Sequence, residues 1–143
     1  MNTALIIATH GDAAAPLLNT AQMIVGPQTN VCAVSFFPGE NVNNLISKFE
    51  AQLPELILED GVLFLVDMYA GSPFNAASLL AINKTNWDVV TGVNIPMLVN
   101  LFMERDEITD YNHLVETAIA MAKEGVKSLK LTLKNNNNPE EEL

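Results

Sequence analysis

Four short apolar runs punctuate the chain, and each has the length of a buried β-strand. They occupy Ala4–Thr9, Val31–Phe36, Val62–Val66 and Asp88–Val93. The third run contains no polar residue, and the first consists of alanine, leucine and isoleucine up to its final threonine. Apolar runs without an alternating polar face are typical of parallel strands that are covered on both sides. We therefore predict four buried strands.

Between these runs, apolar residues recur at the 3.6-residue spacing of a helix. We predict a first helix from Asp12 that ends at Gly26, and a third with Ser72 as its N-cap, Pro73 at its first position and its end near Ile82. A short helix is expected from Pro96 to about Glu104. The inward-facing residues of the first helix are Leu17, Leu18, Ala21, Ile24 and Val25. Those of the second helix are Val42, Leu45, Ile46, Phe49 and Leu53. The last helix ends at Gly125 and has Leu114, Ala118, Met121 and Ala122 on its inward face.

Alternating strands and helices predict an α/β fold, an open doubly wound sheet with helices on both faces. We adopt 2-1-3-4 as the order of its four parallel strands, as a hypothesis. Residues Ser128–Leu133 alternate leucine with polar side chains, and this period of two predicts an additional edge strand with one solvated face. The domain is expected to span residues 1–134. The polar residues 135–143 are expected to form a disordered tail or the stub of a linker.

The composition narrows the classes of function. The 143 residues carry a formal net charge of −10 and only 7 lysines and arginines, which argues against nucleic acid or anionic lipid as a partner. The single cysteine, Cys32, lies in an apolar run and cannot form an internal disulfide, so a small core residue is expected. The opening residues lack the basic region and the long apolar segment of a signal peptide or membrane span. A cytoplasmic protein is therefore expected.

Candidate chemistry gathers where the assumed sheet reverses its strand order. His10 directly follows the first strand, Asp67 directly follows the third, and Gly71-Ser72-Pro73 begins a helix. In sheets of this kind ligands bind beyond the carboxyl ends of the strands at that reversal point. We therefore expect His10 and Asp67 to pair.

These residue types suit phosphoryl transfer. A neutral imidazole is a nucleophile, and a carboxylate that accepts a hydrogen bond from Nδ1–H leaves Nε2 free to attack. The helix N-terminus offers amide donors to a phosphoryl group, and the Ser72 hydroxyl offers another. We predict His10, Asp67 and Ser72 as catalytic residues. The predicted phosphate-binding residues are Gly11, Gly71, Ser72 and Phe74.

On spacing alone, simpler explanations stay open: a structural histidine, an aspartate that caps a loop, and an ordinary Ser-Pro helix start. Neither a metal-ligand cluster nor a P-loop accompanies the pair, so no metal or cofactor is predicted. The other histidine, His113, is expected to be exposed near the start of the last helix.

Four segments resemble a known family: IIATHGDAA (6–14), FFPGEN (36–41), GVLFLVDMYAGSPFNAAS (61–78) and GVNIPMLV (92–99). They are similar to the mannose-class IIA domain of the bacterial phosphoenolpyruvate:sugar phosphotransferase system, over about residues 1–131. The resemblance implies that His10 is phosphorylated, that Asp67 supports its ring and that Ser72 contacts the phosphoryl group. It implies that phosphate arrives from the phosphocarrier protein HPr and leaves to a IIB component. The membrane would be reached only indirectly, through IIC and IID subunits.

The resemblance also implies a homodimer in which the last strand, Ser128–Leu133, is exchanged between subunits and lies antiparallel. This chain departs from the family where Trp-Gly-Gly-Ser-Pro is common, because it has Tyr69-Ala70-Gly71-Ser72-Pro73. Ala70 restricts the backbone if that position needs a positive φ. Met68, Tyr69 and Phe74 are candidates for an apolar docking rim around His10, with packing against the body as the alternative.

Two other functions remain as alternatives. The phosphotransfer subunit of a dihydroxyacetone kinase has a similar fold and also uses a histidine. A regulatory interaction module related to IIA domains would accept phosphate only as a signal. The GSPFN and NIPML segments favour the sugar-transport function over the first. The lack of a DNA-binding or ATPase segment weighs against the second.

Overall fold

A computed structural model describes residues 1–135 and confirms the four-stranded parallel sheet. The strands are β1 (Ala4–His10), β2 (Val31–Phe36), β3 (Val62–Val66) and β4 (Trp87–Thr91). Their spatial order is β2-β1-β3-β4, as assumed from the sequence, and every neighbouring pair is parallel. The strand bounds agree with the apolar runs to within about two residues at each end.

Six α-helices complete the described part of the chain. They are α1 (Ala14–Val25), α2 (Val42–Gln52), α3 (Ser72–Ala81), α4 (Ile95–Glu104), α5 (Tyr111–Glu124) and α6 (Leu129–Lys134). Short 3-10 turns follow α2 and α4. No helix within residues 1–135 combines the length and the apolar character that a membrane crossing requires.

Helices cover both faces of the sheet, which explains why the central strands carry no polar face. Alternate residues of β1 point to opposite sides. Leu5 and Ile7 join the core beneath α1, α4 and α5, whereas Ala4, Ile6 and Ala8 join the core beneath α2 and α3. All five residues of β3 are buried in the same alternating way. The central strands are therefore locked in register by two hydrophobic cores.

Helix starts differ in detail from the sequence prediction. α1 begins at Ala14, and Asp12 lies in a turn before it. The N-cap of α3 is Gly71, so Ser72 is its first residue and Pro73 its second. α4 begins at Ile95, and the Asn94 side chain caps it by accepting a 2.9 Å hydrogen bond from the Met97 amide. Proline at the second helical position costs no intrahelical hydrogen bond, which reconciles the observed starts with the proline signals.

The predicted edge strand at Ser128–Leu133 is wrong for the isolated chain, where the segment forms α6. The Ser128 hydroxyl caps this helix by accepting from the Leu131 amide. A strand gains hydrogen bonds only from a neighbouring strand. In the described part of the chain no further strand pairs with β4, which forms one edge of the sheet. Leucine and lysine favour helix, which satisfies its own backbone groups locally. Of the predicted tail, residues 136–143 lie outside the described part of the chain.

One buried arginine holds together the end of the sheet at which the strands begin. The Arg105 side chain, on the 3-10 turn after α4, donates to the carbonyl oxygens of Thr3 and Asn30 through Nη1 and to that of Thr29 through Nη2, at 2.8–3.2 Å. The residue is almost completely buried. It therefore joins α4 to the loops that enter β1 and β2.

We expect Arg105→Leu to lower the free energy of unfolding by about 3 kcal/mol, because it leaves carbonyl oxygens buried without donors. Urea denaturation followed by circular dichroism measures this loss. Arg105→Lys keeps the charge but not the planar fork, so it should fall between the wild type and the leucine variant. A leucine variant as stable as wild type would show that this network does not hold the edge together.

Candidate functional site

The strand order places the candidate residues side by side. β1 and β3 are neighbours in the sheet. The chain continues from β1 through α1 to β2 on one side, and from β3 through α3 to β4 on the other. His10 is the last residue of β1, Asp67 directly follows β3, and α3 begins five residues later at Ser72. The site therefore lies beyond the carboxyl ends of the strands at the reversal point, as predicted.

His10 and Asp67 form the pair expected from the sequence. Nδ1 of the ring lies 2.9 Å from Asp67 Oδ2, and the His10 backbone amide donates to the same oxygen at 3.1 Å. Because an ionised carboxylate only accepts, this contact requires the proton on Nδ1. The other ring nitrogen, Nε2, is then an unprotonated nucleophile in the neutral imidazole. The backbone contact fixes the carboxylate relative to the strand end as well as to the ring.

The ring is held at its edges but remains open to solvent. The His10 side chain is 43% exposed and that of Asp67 is 30% exposed. The Phe36 ring, opposite His10 in the register of β1 and β2, meets the imidazole edge to face with centroids 5.8 Å apart. Sequence reasoning missed Phe36 as a site residue, although it ends the strand next to β1. An exposed, oriented imidazole can approach a phosphoryl group carried by another protein.

Gly71 lies close to Cε1 and Nε2 of the imidazole. A Cβ atom on this glycine would lie 2.7 Å from His10 Cε1 and 3.3 Å from Nε2. Any larger residue would thus push on the reactive edge of the ring. Gly71 is also the N-cap of α3, so the N-terminus of this helix lies close to the ring.

The α3 N-terminus provides amide donors close to the ring. The first amides of a helix, including that of the N-cap, have no intrahelical acceptor, and Pro73 has no N–H, which leaves Gly71, Ser72 and Phe74 as donors. Ser72 is the first residue of α3, so its hydroxyl lies at the same helix start. Gly11 differs from the prediction in one respect: its amide already donates to the Phe36 carbonyl at 2.7 Å. Its positive φ of +62° turns the chain out of β1.

The loop from Asp67 to Gly71 contains the backbone conformation that the family departure suggested. Ala70 has φ of +63°, the left-handed region that glycine adopts without strain. Tyr69 beside it is 75% exposed, and Met68 is also exposed. The Tyr69 ring contacts the Phe74 ring at a tilt of 46°, with centroids 4.7 Å apart. Of the three apolar candidates, Phe74 is partly buried, whereas Met68 and Tyr69 project into solvent.

The remaining candidates lie apart from this site. His113 is exposed in the first turn of α5, as expected. Cys32 is partly buried against the core below α2 and α3, and burial raises the pKa of its thiol to about 11. A thiol that ionises so poorly is a weak nucleophile, which agrees with its expected structural role.

Comparison with known proteins defines the class to which this fold and site belong. A family model described as "PTS system fructose IIA component" matches residues 4–126. The chain therefore belongs to this family of phosphotransferase-system IIA components.

Particular relatives refine that placement. The chain is 51% identical over 130 residues to the "PTS system mannose-specific EIIAB component" of Escherichia coli (strain K12), covering 91% of this chain but 40% of that protein. It is 36% identical over 104 residues to the "PTS system fructose-specific EIIA component" of Bacillus subtilis (strain 168), covering 73% and 71%. The chain thus spans less than half of the first relative and most of the second.

Solved structures share the fold. An EIIA component from Streptococcus agalactiae superposes with a TM-score of 0.81 at 25% identity, covering 90% of this chain and 98% of that one. The "Mannose/sorbose specific IIA subunit" from Enterococcus faecalis superposes with a TM-score of 0.80 at 25% identity, covering 90% and 95%. The parallel sheet in order 2-1-3-4 is thus the fold of phosphotransferase-system IIA proteins.

We expect Gly71→Ala to displace the imidazole, because the added Cβ atom would lie 2.7 Å from His10 Cε1. The measurement is the change in the NMR chemical shifts of the His10 ring. Ala70→Gly is the matched control, because it changes the adjacent residue of the same loop without approaching the ring. Ring shifts in Gly71→Ala equal to those of wild type would contradict the close packing.

We expect Ala70→Gly to raise the free energy of unfolding by about 0.5–1 kcal/mol, because relief of the left-handed strain outweighs the greater freedom of glycine in the unfolded chain. Urea denaturation measures the change. Ala51→Gly in the exposed, ordinary helical backbone of α2 should lower stability instead. A loss of stability in both variants would mean that Ala70 is not strained.

Proposed function

We propose that this chain is a phosphoryl carrier that accepts phosphate from HPr on His10 Nε2 and passes it to a IIB component during sugar uptake. The observation that carries the proposal is the 2.9 Å contact of Nδ1 with Asp67 on a solvent-open ring beside the α3 N-terminus. Membership of the IIA family supports the same assignment. The relay would operate in the cytoplasm and reach the membrane only through IIC and IID subunits.

The transfer step follows from the protonation of the ring. The Nε2 lone pair attacks phosphorus, the bond from phosphorus to the donor breaks, and the imidazole becomes positively charged. Asp67 offsets this charge and keeps the proton on Nδ1. When the phosphoryl group leaves, the bond electrons return to Nε2 and the ring is neutral again. The site therefore operates in both directions with no net proton transfer.

The electrostatic surroundings suit a carrier rather than a phosphate sink. Among residues 1–135, no lysine or arginine pairs with His10 or Asp67. Lys48 is already committed to the Ser35 carbonyl and the Glu40 carboxylate. The phosphoryl group would be held by the Gly71, Ser72 and Phe74 amides and the Ser72 hydroxyl. Such moderate stabilisation lets the group move on to the next protein.

Docking would use the rim of Met68, Tyr69 and Phe74 around the ring. Apolar side chains that are exposed beside a reactive residue favour protein contact, and one rim can serve two partners in turn. The strongly negative chain would favour partners with a basic docking face.

The homodimer implied by the resemblance also stays a proposal. Leu129 and Leu131 of α6 are exposed in the single chain, and a second copy would cover them.

We expect His10→Ala to lose all phosphorylation by HPr while it keeps the wild-type circular dichroism spectrum. His113→Ala is the matched control, since it removes the other exposed histidine and should label normally. Labelling of the His10→Ala protein would end the assignment.

Asp67→Ala should slow phosphorylation about a hundredfold, because the ring loses its orientation and its counter-charge. Asp12→Ala, which removes an exposed carboxylate nearby in sequence, should leave the rate unchanged. An Asp67→Ala rate equal to that of wild type would remove its proposed role.

Passage of phosphate from labelled His10 to a IIB protein separates this function from its alternatives. A dihydroxyacetone kinase subunit would transfer only to its kinase partner, and a regulatory module would label once without turnover. The mannose- and fructose-specific relatives favour transfer to IIB.

A further inference from the structure

Two buried polar atoms at the site have no hydrogen-bond partner. Within residues 1–135 three buried side-chain atoms are in this condition: Thr9 Oγ1, Asp67 Oδ1 and Arg105 Nε. The last belongs to the network at the opposite edge of the sheet. Buried polar groups in native proteins are nearly always hydrogen-bonded, so each exception calls for an explanation. The first two lie on adjacent strand ends, next to the reactive histidine.

The register of the sheet places Thr9 and Asp67 on neighbouring strand ends. Ala8 is opposite Val66 across β1 and β3, which makes Thr9 and Asp67 the next pair in register. Pleating puts Thr9 on the face of Leu5 and Ile7, opposite to the face that carries His10. Thr9 is 1% exposed. Asp67 reaches over the strand end from β3, because its Oδ2 accepts from the amide that follows Thr9.

The chemistry of the two groups is complementary. The Asp67 carboxylate uses Oδ2 for both the amide and the ring of His10, which leaves Oδ1 as an unused buried acceptor. A threonine hydroxyl is a donor, and it turns freely about its C–O bond. Unanchored at Oδ1, a carboxylate rotates about its terminal torsion, which is a soft degree of freedom. That rotation would move Oδ2 away from Nδ1.

We propose that Thr9 is a positioning residue whose hydroxyl donates to Asp67 Oδ1 through one bridging water, since neither atom has a direct partner, and so fixes the carboxylate that orients His10. The chain of contacts would run from Thr9 through Asp67 to the ring. Only the kinetic consequence rests on the proposed function, because the orientation of the ring is a property of the unphosphorylated protein. Thr9 makes no contact with the phosphoryl group.

The direct test compares Thr9→Val, which removes the hydroxyl and keeps the β-branched shape, with Thr9→Ser, which keeps the hydroxyl. Nitrogen NMR of isotope-labelled histidine reports which ring nitrogen carries the proton. In wild type we expect the Nδ1–H form of His10 to dominate. In Thr9→Val the Nε2–H form should rise to a clearly detectable fraction, and phosphorylation by HPr should slow about tenfold. Thr9→Ser should keep the wild-type tautomer and most of the rate.

Two controls separate this effect from a general loss of packing. Thr3→Val removes a buried hydroxyl at the other end of the sheet, where Thr3 Oγ1 donates to the Asp60 carbonyl. It should change stability without changing the tautomer or the rate. If Thr9→Val does not fold, Thr9→Ala replaces it and is compared with Thr9→Ser, since these two side chains differ by the hydroxyl alone.

A hydroxyl-free Thr9 variant with the wild-type tautomer and rate overturns the inference. Wild-type protein that takes no phosphate from HPr overturns the proposed function, while the tautomer measurement still decides the role of Thr9. A tautomer shift that occurs in Thr9→Val and not in Thr9→Ser supports the inference, whether or not the wild-type protein takes phosphate from HPr.

Discussion

The contact of His10 Nδ1 with Asp67 exists only because β1 and β3 are neighbours in a parallel sheet. The two residues are 57 positions apart in the chain, and neither could hold the other without that pairing. Parallel strands bring their carboxyl ends to one edge, so the last residue of one strand meets the first residue after the next. The same contact decides which ring nitrogen is protonated, and hence which one can attack. In the proposed carrier, the attacking nitrogen is therefore set by sheet topology.

The rest of the fold keeps β1 and β3 in register with each other. A slip of one residue between β1 and β3 would exchange the two faces of a strand and expose buried aliphatic side chains on both. Helices on both faces make such a slip costly, since each side of the sheet has its own core. At the opposite edge Arg105 ties α4 to the loops that enter the strands. The strand ends at the site are therefore fixed, although the site itself is open to solvent.

The proposed phosphoryl carrier needs only moderate electrostatic stabilisation of the phosphoryl group around the ring. A phosphoryl carrier must accept and release its group with similar ease, and a resident cation would favour retention. Partial charges at the α3 N-terminus meet this need, and Gly71 lets them approach the ring closely. The strained Ala70 lies one residue earlier in the same loop. Backbone strain is therefore located one residue before the glycine that contacts the ring.

The sequence by itself determined the strands and the helices between them, because apolar runs and helical spacing are local signals of burial. Residues that end strands, such as His10 and Asp67, could be identified as candidates in the same way. Tertiary structure alone decided that these two residues touch, that Phe36 meets the ring and that Gly71 lies beneath it, because each depends on strand order and register. It also decided Ser128–Leu133: the alternation there suits a strand, but a strand needs a neighbour. Within residues 1–135 the segment pairs with no strand and satisfies its own backbone as a helix.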